Sequence, residues 1–125
     1  MKYEVYANEK CIGESTLTKN DDGMGVYIGR FAPASSYDEV RSVFLLYTKS
    51  AVIREKTGQD DKQLLHQFFI ERDKLNLSLR QKNGVIIPTS WILILDFQDE
   101  IPEDELEIHV QVTEPDLLKT PRHAR

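Results

Sequence analysis

Apolar and polar positions change rhythm along this chain, and each change marks the border of an element. Two short apolar stretches, Tyr3–Ala7 and Cys11–Leu17, flank Asn8-Glu9-Lys10. An asparagine favours a turn there because its side chain bonds nearby backbone, so the pattern predicts a β-hairpin. Asn20-Asp21-Asp22-Gly23 forms a second turn cluster, and Gly25–Phe31, rich in β-branched and aromatic residues, predicts a third strand. Pro33-Ala34-Ser35 then interrupts the strand pattern, and Ser36 followed by Glu39 has the spacing of a capping box, which predicts a helix from Tyr37.

Val40, Val43, Phe44, Tyr47 and Ala51 recur at steps of three and four and place one stripe of that helix on the core. Its end falls between Thr48 and Thr57, with Thr57-Gly58 as the stop. Asp60 with Gln63 repeats the capping signature ahead of Leu64, Leu65, Phe68, Phe69 and Arg72, predicting a second helix that ends near Asp73. Leu75, Leu77 and Leu79 alternate with polar residues as a half-buried strand does. Asn83-Gly84 predicts a hairpin, since both residues tolerate the positive φ of a type I′ turn. Ile92–Leu95 lacks polar alternation and should lie deep in a sheet, with Pro88 at an edge or bend. Leu106, Ile108, Val110 and Val112 alternate with Glu107, His109, Gln111 and Thr113 as a last strand with one wet face.

The order β-β-β-α-α-β-β-β has no βαβ rhythm. The expected fold class is therefore α+β, a largely antiparallel sheet with two helices packed on one face. There is no internal repeat and no low-complexity segment. Residues 1–118 read as a single α+β domain and 119–125 as a flexible basic tail.

Composition narrows the class of molecule. A chain of 125 residues, 40% hydrophobic and 30% charged, is long enough to bury one core without staples. Cys11 is the single cysteine, so no internal disulfide is possible, and a reducing, cytoplasmic setting is expected. The stretch Met1–Tyr6 carries a glutamate where a signal peptide needs apolar residues, so no export is expected. The longest uncharged apolar run, Val85–Leu95, falls far short of the ~20 residues of a membrane span, so no membrane partner is expected. A net charge of −5 argues against nucleic acid, which selects a surplus of Lys and Arg on the binding face.

Candidate chemistry is sparse. Gly23, Gly25 and Gly29 lack the spacing and flanking elements of a dinucleotide loop and fit turns or close strand approach instead. Cys11, His66 and His109 are scattered singly, without the clustered spacing of a zinc site. No G-x-S-x-G elbow is present. No cofactor, metal or catalytic residue is therefore expected. The clearest asymmetry is acidic: Asp96, Asp99, Glu100, Glu103, Asp104, Glu105 and Glu107 fall in a span from Asn83 to Leu118 that holds no Lys or Arg. Such a run is either a solvated loop or a patch that attracts a basic protein partner.

The opening Tyr3-Glu4-Val5-Tyr6-Ala7-Asn8, the segment Gly23-Met24-Gly25-Val26-Tyr27-Ile28-Gly29-Arg30-Phe31-Ala32-Pro33, and the stretches Ile94–Phe97 and Leu106–Val110 resemble a family of uncharacterised small bacterial proteins. The resemblance implies a bacterial cytosolic domain and assigns no catalytic or binding residue. The leading expectation is a non-enzymatic protein-binding module, immunity- or antitoxin-like, that uses the Asp96–Glu107 patch on a basic partner. The alternative is a small-molecule site or enzyme between sheet and helices, with Tyr27, Arg30, His66 or His109 as its polar groups. A third possibility is a subunit of an oligomer, with Ile87, Trp91 and Phe97 exposed as its interface.

Overall fold

A computed structural model describes residues 2–19 and 25–113. The second turn cluster, Asn20–Gly23, and the basic tail lie outside these residues. Among them, eight strands, two α-helices and one short 3-10 helix are present: β1 (Lys2–Ala7), β2 (Lys10–Thr16), β3 (Thr18–Lys19), β4 (Val26–Pro33), the 3-10 helix (Ser35–Glu39), α1 (Arg41–Thr57), α2 (Lys62–Lys74), β5 (Leu77–Gln81), β6 (Ile86–Ile87), β7 (Thr89–Leu95) and β8 (Glu107–Val112). The fold is α+β with an antiparallel sheet, as the periodicity predicts, and the short β3 and β6 are additions to the expected order. No helix of the described residues is long and apolar enough to cross a membrane.

The strands pair in the series β6-β5-β1-β2-β4-β8-β7, with β3 pairing β4 beside it. The two ends of this series, β6 and β7, are consecutive in the chain and separated only by Pro88. A proline has no N–H to give a ladder, so the chain changes partner there, leaving β5 and joining β8. Close approach between β2 and β4 depends on Gly29. A Cβ at that position would lie 2.4 Å from both Ser15 Oγ and the Thr16 carbonyl oxygen.

One face of every long strand enters a single core. Val5, Leu79, Ile94, Ile108 and Val110 are wholly buried in it, and the helices add Phe44 and Phe68, also without exposure. A train of rings joins the layers: Phe31 lies edge-on to Tyr37 (5.5 Å between centroids), Tyr37 stacks on Phe44 (6.3 Å), and Phe44 meets Phe68 (6.3 Å). Burial of each such ring contributes about 1.5–3 kcal/mol, so this train helps tie the helices to the sheet.

Three local expectations are corrected. The helix does not start at Tyr37 from a Ser36–Glu39 capping box. Residues 35–39 form a 3-10 turn without a side-chain cap, and α1 begins at Arg41. Glu39 instead binds Lys10 Nζ at 2.9 and 3.2 Å, tying this turn to the β1–β2 hairpin. The cap of α2 is Asp61 rather than Asp60: Asp61 Oδ1 accepts from the Leu64 N–H at 3.0 Å. At the β5–β6 turn only Gly84 adopts positive φ (92°), while Gly84 N–H donates to Gln81 O and Gln81 N–H to Val85 O, both at 2.8 Å. The connection is thus a three-residue loop with glycine in the left-handed position, not a two-residue type I′ turn. Gly58 does stop α1, at φ 75°.

Candidate functional site

The acidic run forms one loop, from the end of β7 to the start of β8, and its order comes from its own backbone. The Phe97 carbonyl accepts from the N–H groups of Glu100 (2.9 Å) and Ile101 (2.8 Å), and the Ile101 carbonyl from Asp104 (2.9 Å). Gln98 braces the interior by donating Nε2–H to the Asp104 carbonyl at 2.9 Å. These bonds tie Phe97 to Glu100 and Ile101, Ile101 to Asp104, and Gln98 to Asp104, and so brace the path of the loop.

Asp96 fixes the base of this loop. Its side chain is fully buried. Oδ2 accepts from the Tyr37 hydroxyl at 2.8 Å and from Arg41 Nε at 2.8 Å, while Oδ1 accepts from Arg41 Nη2 (3.3 Å) and the Gln98 N–H (3.1 Å). Arg41 Nη2 also donates to Asp99 Oδ1 at 2.9 Å. The bonds join three elements: the 3-10 turn, the first residue of α1, and the end of β7. Burial by itself would raise the Asp96 pKa, yet the hydrogen bonds from Arg41 and Tyr37 outweigh it and hold the carboxyl below its ordinary range. Burial, reinforced by the hydrogen bond to Asp96, pushes the Tyr37 hydroxyl well up, so it stays a donor. Hydrogen bonds from Arg41 to Asp96 and Asp99 raise the guanidinium further still.

This geometry divides the seven sequence-predicted residues. Asp96 faces the interior and is committed there, so it is removed from the partner-binding surface: its charge is spent on Arg41 and Tyr37. Asp99 is outward but shares Arg41, Glu105 pairs with Arg30, and Glu107 pairs with His109. Asp104 is half-buried, and Glu100 and Glu103 are exposed. Glu100 and Glu103 have no ion pair among the described residues. Between them stands Ile101, an apolar side chain 51% exposed.

The residues considered for a small-molecule site do not converge. Tyr27 is buried in the core, whereas Arg30 and His109 belong to the opposite face of the sheet, and His66 is exposed on α2. The cleft of about 200 Å³ between α2 and the sheet is lined by Arg72, Asp73, Asn76, Leu77, Thr89, Ser90, Trp91 and Ile92, and by none of these four. Among the described residues no group of three or more His, Cys, Asp or Glu could hold a metal ion. Cys11 Sγ contacts the Gly13 carbonyl at 3.5 Å. Nor do Ile87, Trp91 and Phe97 make an exposed patch, because Ile87 is buried and the other two are half-buried.

Sequence reasoning passed over Tyr37 and Arg41, the partners that organise the loop. No local signal marked them, because the helix start at Arg41 shows only in the fold and its carboxylate partner Asp96 lies 55 positions away. No protein-family model matches the chain, and neither a curated protein nor a solved structure matches it.

Proposed function

We propose that the chain is a non-enzymatic protein-binding module that docks a basic partner protein through the loop between β7 and β8. The observation that carries this reading is the exposure of Glu100, Glu103 and Ile101 on a loop whose backbone is braced and whose base is buried. A preformed loop loses little conformational entropy on binding, and an apolar residue flanked along the chain by carboxylates matches a partner surface with the reverse charge. The small acidic chain with one unpaired cysteine supports a cytoplasmic setting and an immunity- or antitoxin-like role, neutralising a basic protein by covering its surface.

The test uses the full chain as bait, with wild type and the double variant Glu100→Gln/Glu103→Gln compared against extract from the source cell. A stoichiometric basic protein retained by wild type and lost at least tenfold by the variant supports the reading. Equal retention by both removes the loop from the mechanism. Asp99 is left unchanged because altering it would also disturb Arg41.

A further inference from the structure

The two terminal strands of the sheet end it differently. β6 is two residues long and stops at Pro88, so it offers a neighbour almost no ladder. β7 is seven residues long and, among the described residues, pairs with β8 alone. β5 does not reach its other side, because it begins only at Leu77 and gives Leu79 and Arg80 to β6. Nor, among the described residues, does a backbone bond from a turn or loop reach residues 90–95. Edge strands usually carry a charge, a proline or a bulge that stops another strand from adding to them. In β7 the register shift between Thr89 and Trp91 does this at one end only. Trp91-Ile92-Leu93-Ile94-Leu95 then runs without a charge, proline or glycine.

We propose that this edge pairs with the same edge of a second copy of the chain, so that one sheet runs through a symmetric dimer. Antiparallel pairing about a two-fold axis joins a strand to itself only where facing residues share a side of the sheet. Ile92 and Ile94 are buried on the core side, and Trp91, Leu93 and Leu95 are half-buried on the other. An axis at Leu93 satisfies the rule: Leu93 faces Leu93, Ile92 faces Ile94 and Trp91 faces Leu95, with no charge opposed to its like. An axis midway between two residues would set core positions against outer ones. The charges at the two ends favour a second copy over a foreign strand. Arg72 and Asp73 stand beside the first end, in the cleft between α2 and the sheet. Lys49 stands beside the last, with Asp99 and Glu100, in a small cavity against α1. Arg72, Asp73 and Lys49 have no ion pair among the described residues. The two-fold brings the first end of each copy to the last end of the other, so Asp73 meets Lys49 and Arg72 meets the acidic loop, each twice. Such a self-complementary contact closes on itself and leaves β7 no open edge for a third chain. The pairing goes beyond the docking role of the loop and needs no partner protein.

The test takes the purified full-length chain from low to high micromolar concentration, with mass read by sedimentation velocity and amide exchange of β7 by mass spectrometry. The mass should double as concentration rises, and exchange in residues 90–95 should slow with it. Lys49→Asp or Asp73→Lys alone sets like charges together twice and should weaken association about fivefold or more at low salt. The two changes combined should restore it to within about twofold of wild type. Leu93→Lys opposes two ammonium groups across the axis and should leave a folded monomer, with wild-type circular dichroism. Should that variant not fold, the charge exchange decides alone. A single-chain mass at every concentration overturns the proposal, as does a dimer indifferent to Lys49→Asp or one that the combined exchange does not restore. A monomer whose β7 amides exchange slowly at every concentration also overturns it, because the edge is then covered from within the chain. No partner protein is present, so a failed dimer leaves the docking loop standing, and equal retention in the pull-down leaves the dimer standing.

Discussion

Asp96 shows how a single carboxylate can be mistaken for surface charge. In the sequence it opens an acidic run, and in the fold it is the most enclosed charged group among the described residues, with Arg41 55 positions away in the chain. Removing one partner of a buried pair leaves the other uncompensated, which costs about 3–5 kcal/mol when both are enclosed. Arg41 is 27% exposed and keeps Asp99, so Asp96→Ala should lower stability by about 2–4 kcal/mol, measured by urea unfolding at neutral pH. The pH dependence follows from the depressed folded pKa. Stability from Asp96 is complete above the pKa of the unfolded chain, about 4, and is lost as pH falls below that toward the folded value. Unfolding curves from pH 7 to 2 should therefore show a steeper acid loss in wild type than in Asp96→Asn. Gly29 makes a second prediction at this scale. Because its absent Cβ would meet Ser15 Oγ and the Thr16 carbonyl, Gly29→Ala should cost about 1–3 kcal/mol by forcing β2 and β4 apart, read as a lower melting temperature.

At the scale of elements, the strands were more legible than the helix starts. Leu106, Ile108, Val110 and Val112 are all buried, as their two-residue period required, because alternation is a property of strand geometry that needs no partner. Helix starts depend on competition between local and distant bonds. Glu39 had the spacing to cap its own helix, but it lies beside Lys10 in the fold and binds it instead. Asp60 and Asp61 both had capping chemistry, and only the backbone path into α2 selected Asp61. Two substitutions separate the real cap from the apparent one. Asp61→Ala should lower stability by about 1 kcal/mol, and Ser36→Ala should change it by less than about 0.5 kcal/mol, in the same thermal unfolding experiment. The short β3 and β6 went unread because two-residue strands carry no period at all.

For the molecule as a whole, helices and sheet are held by the same aromatic train, so they should unfold together. Phe44, wholly buried between Tyr37 and Phe68, is its middle ring. Phe44→Ala should cost about 3–5 kcal/mol and shift helical circular dichroism and Trp91 fluorescence in one coincident transition. Separate transitions would show two independently stable parts. Charge is arranged differently from the core. The loop's exposed carboxylates contribute little to folding, so Glu100→Gln/Glu103→Gln should move the melting temperature by no more than about 2 °C, while the binding test reads their role. Composition showed that negative charge gathers in one stretch, but only the fold sorts that stretch into an inward anchor, paired members and free tips.

The enclosed carboxylate at the root of the loop has a consequence for how this surface can diversify. Drift at Asp96 is penalised through folding, whereas Glu100, Ile101 and Glu103 carry no such burden and can be exchanged on an unchanged pedestal. The loop is accordingly a place where a foreign epitope of similar length could be grafted, keeping Asp96, Gln98 and Asp104 as its fixed stem.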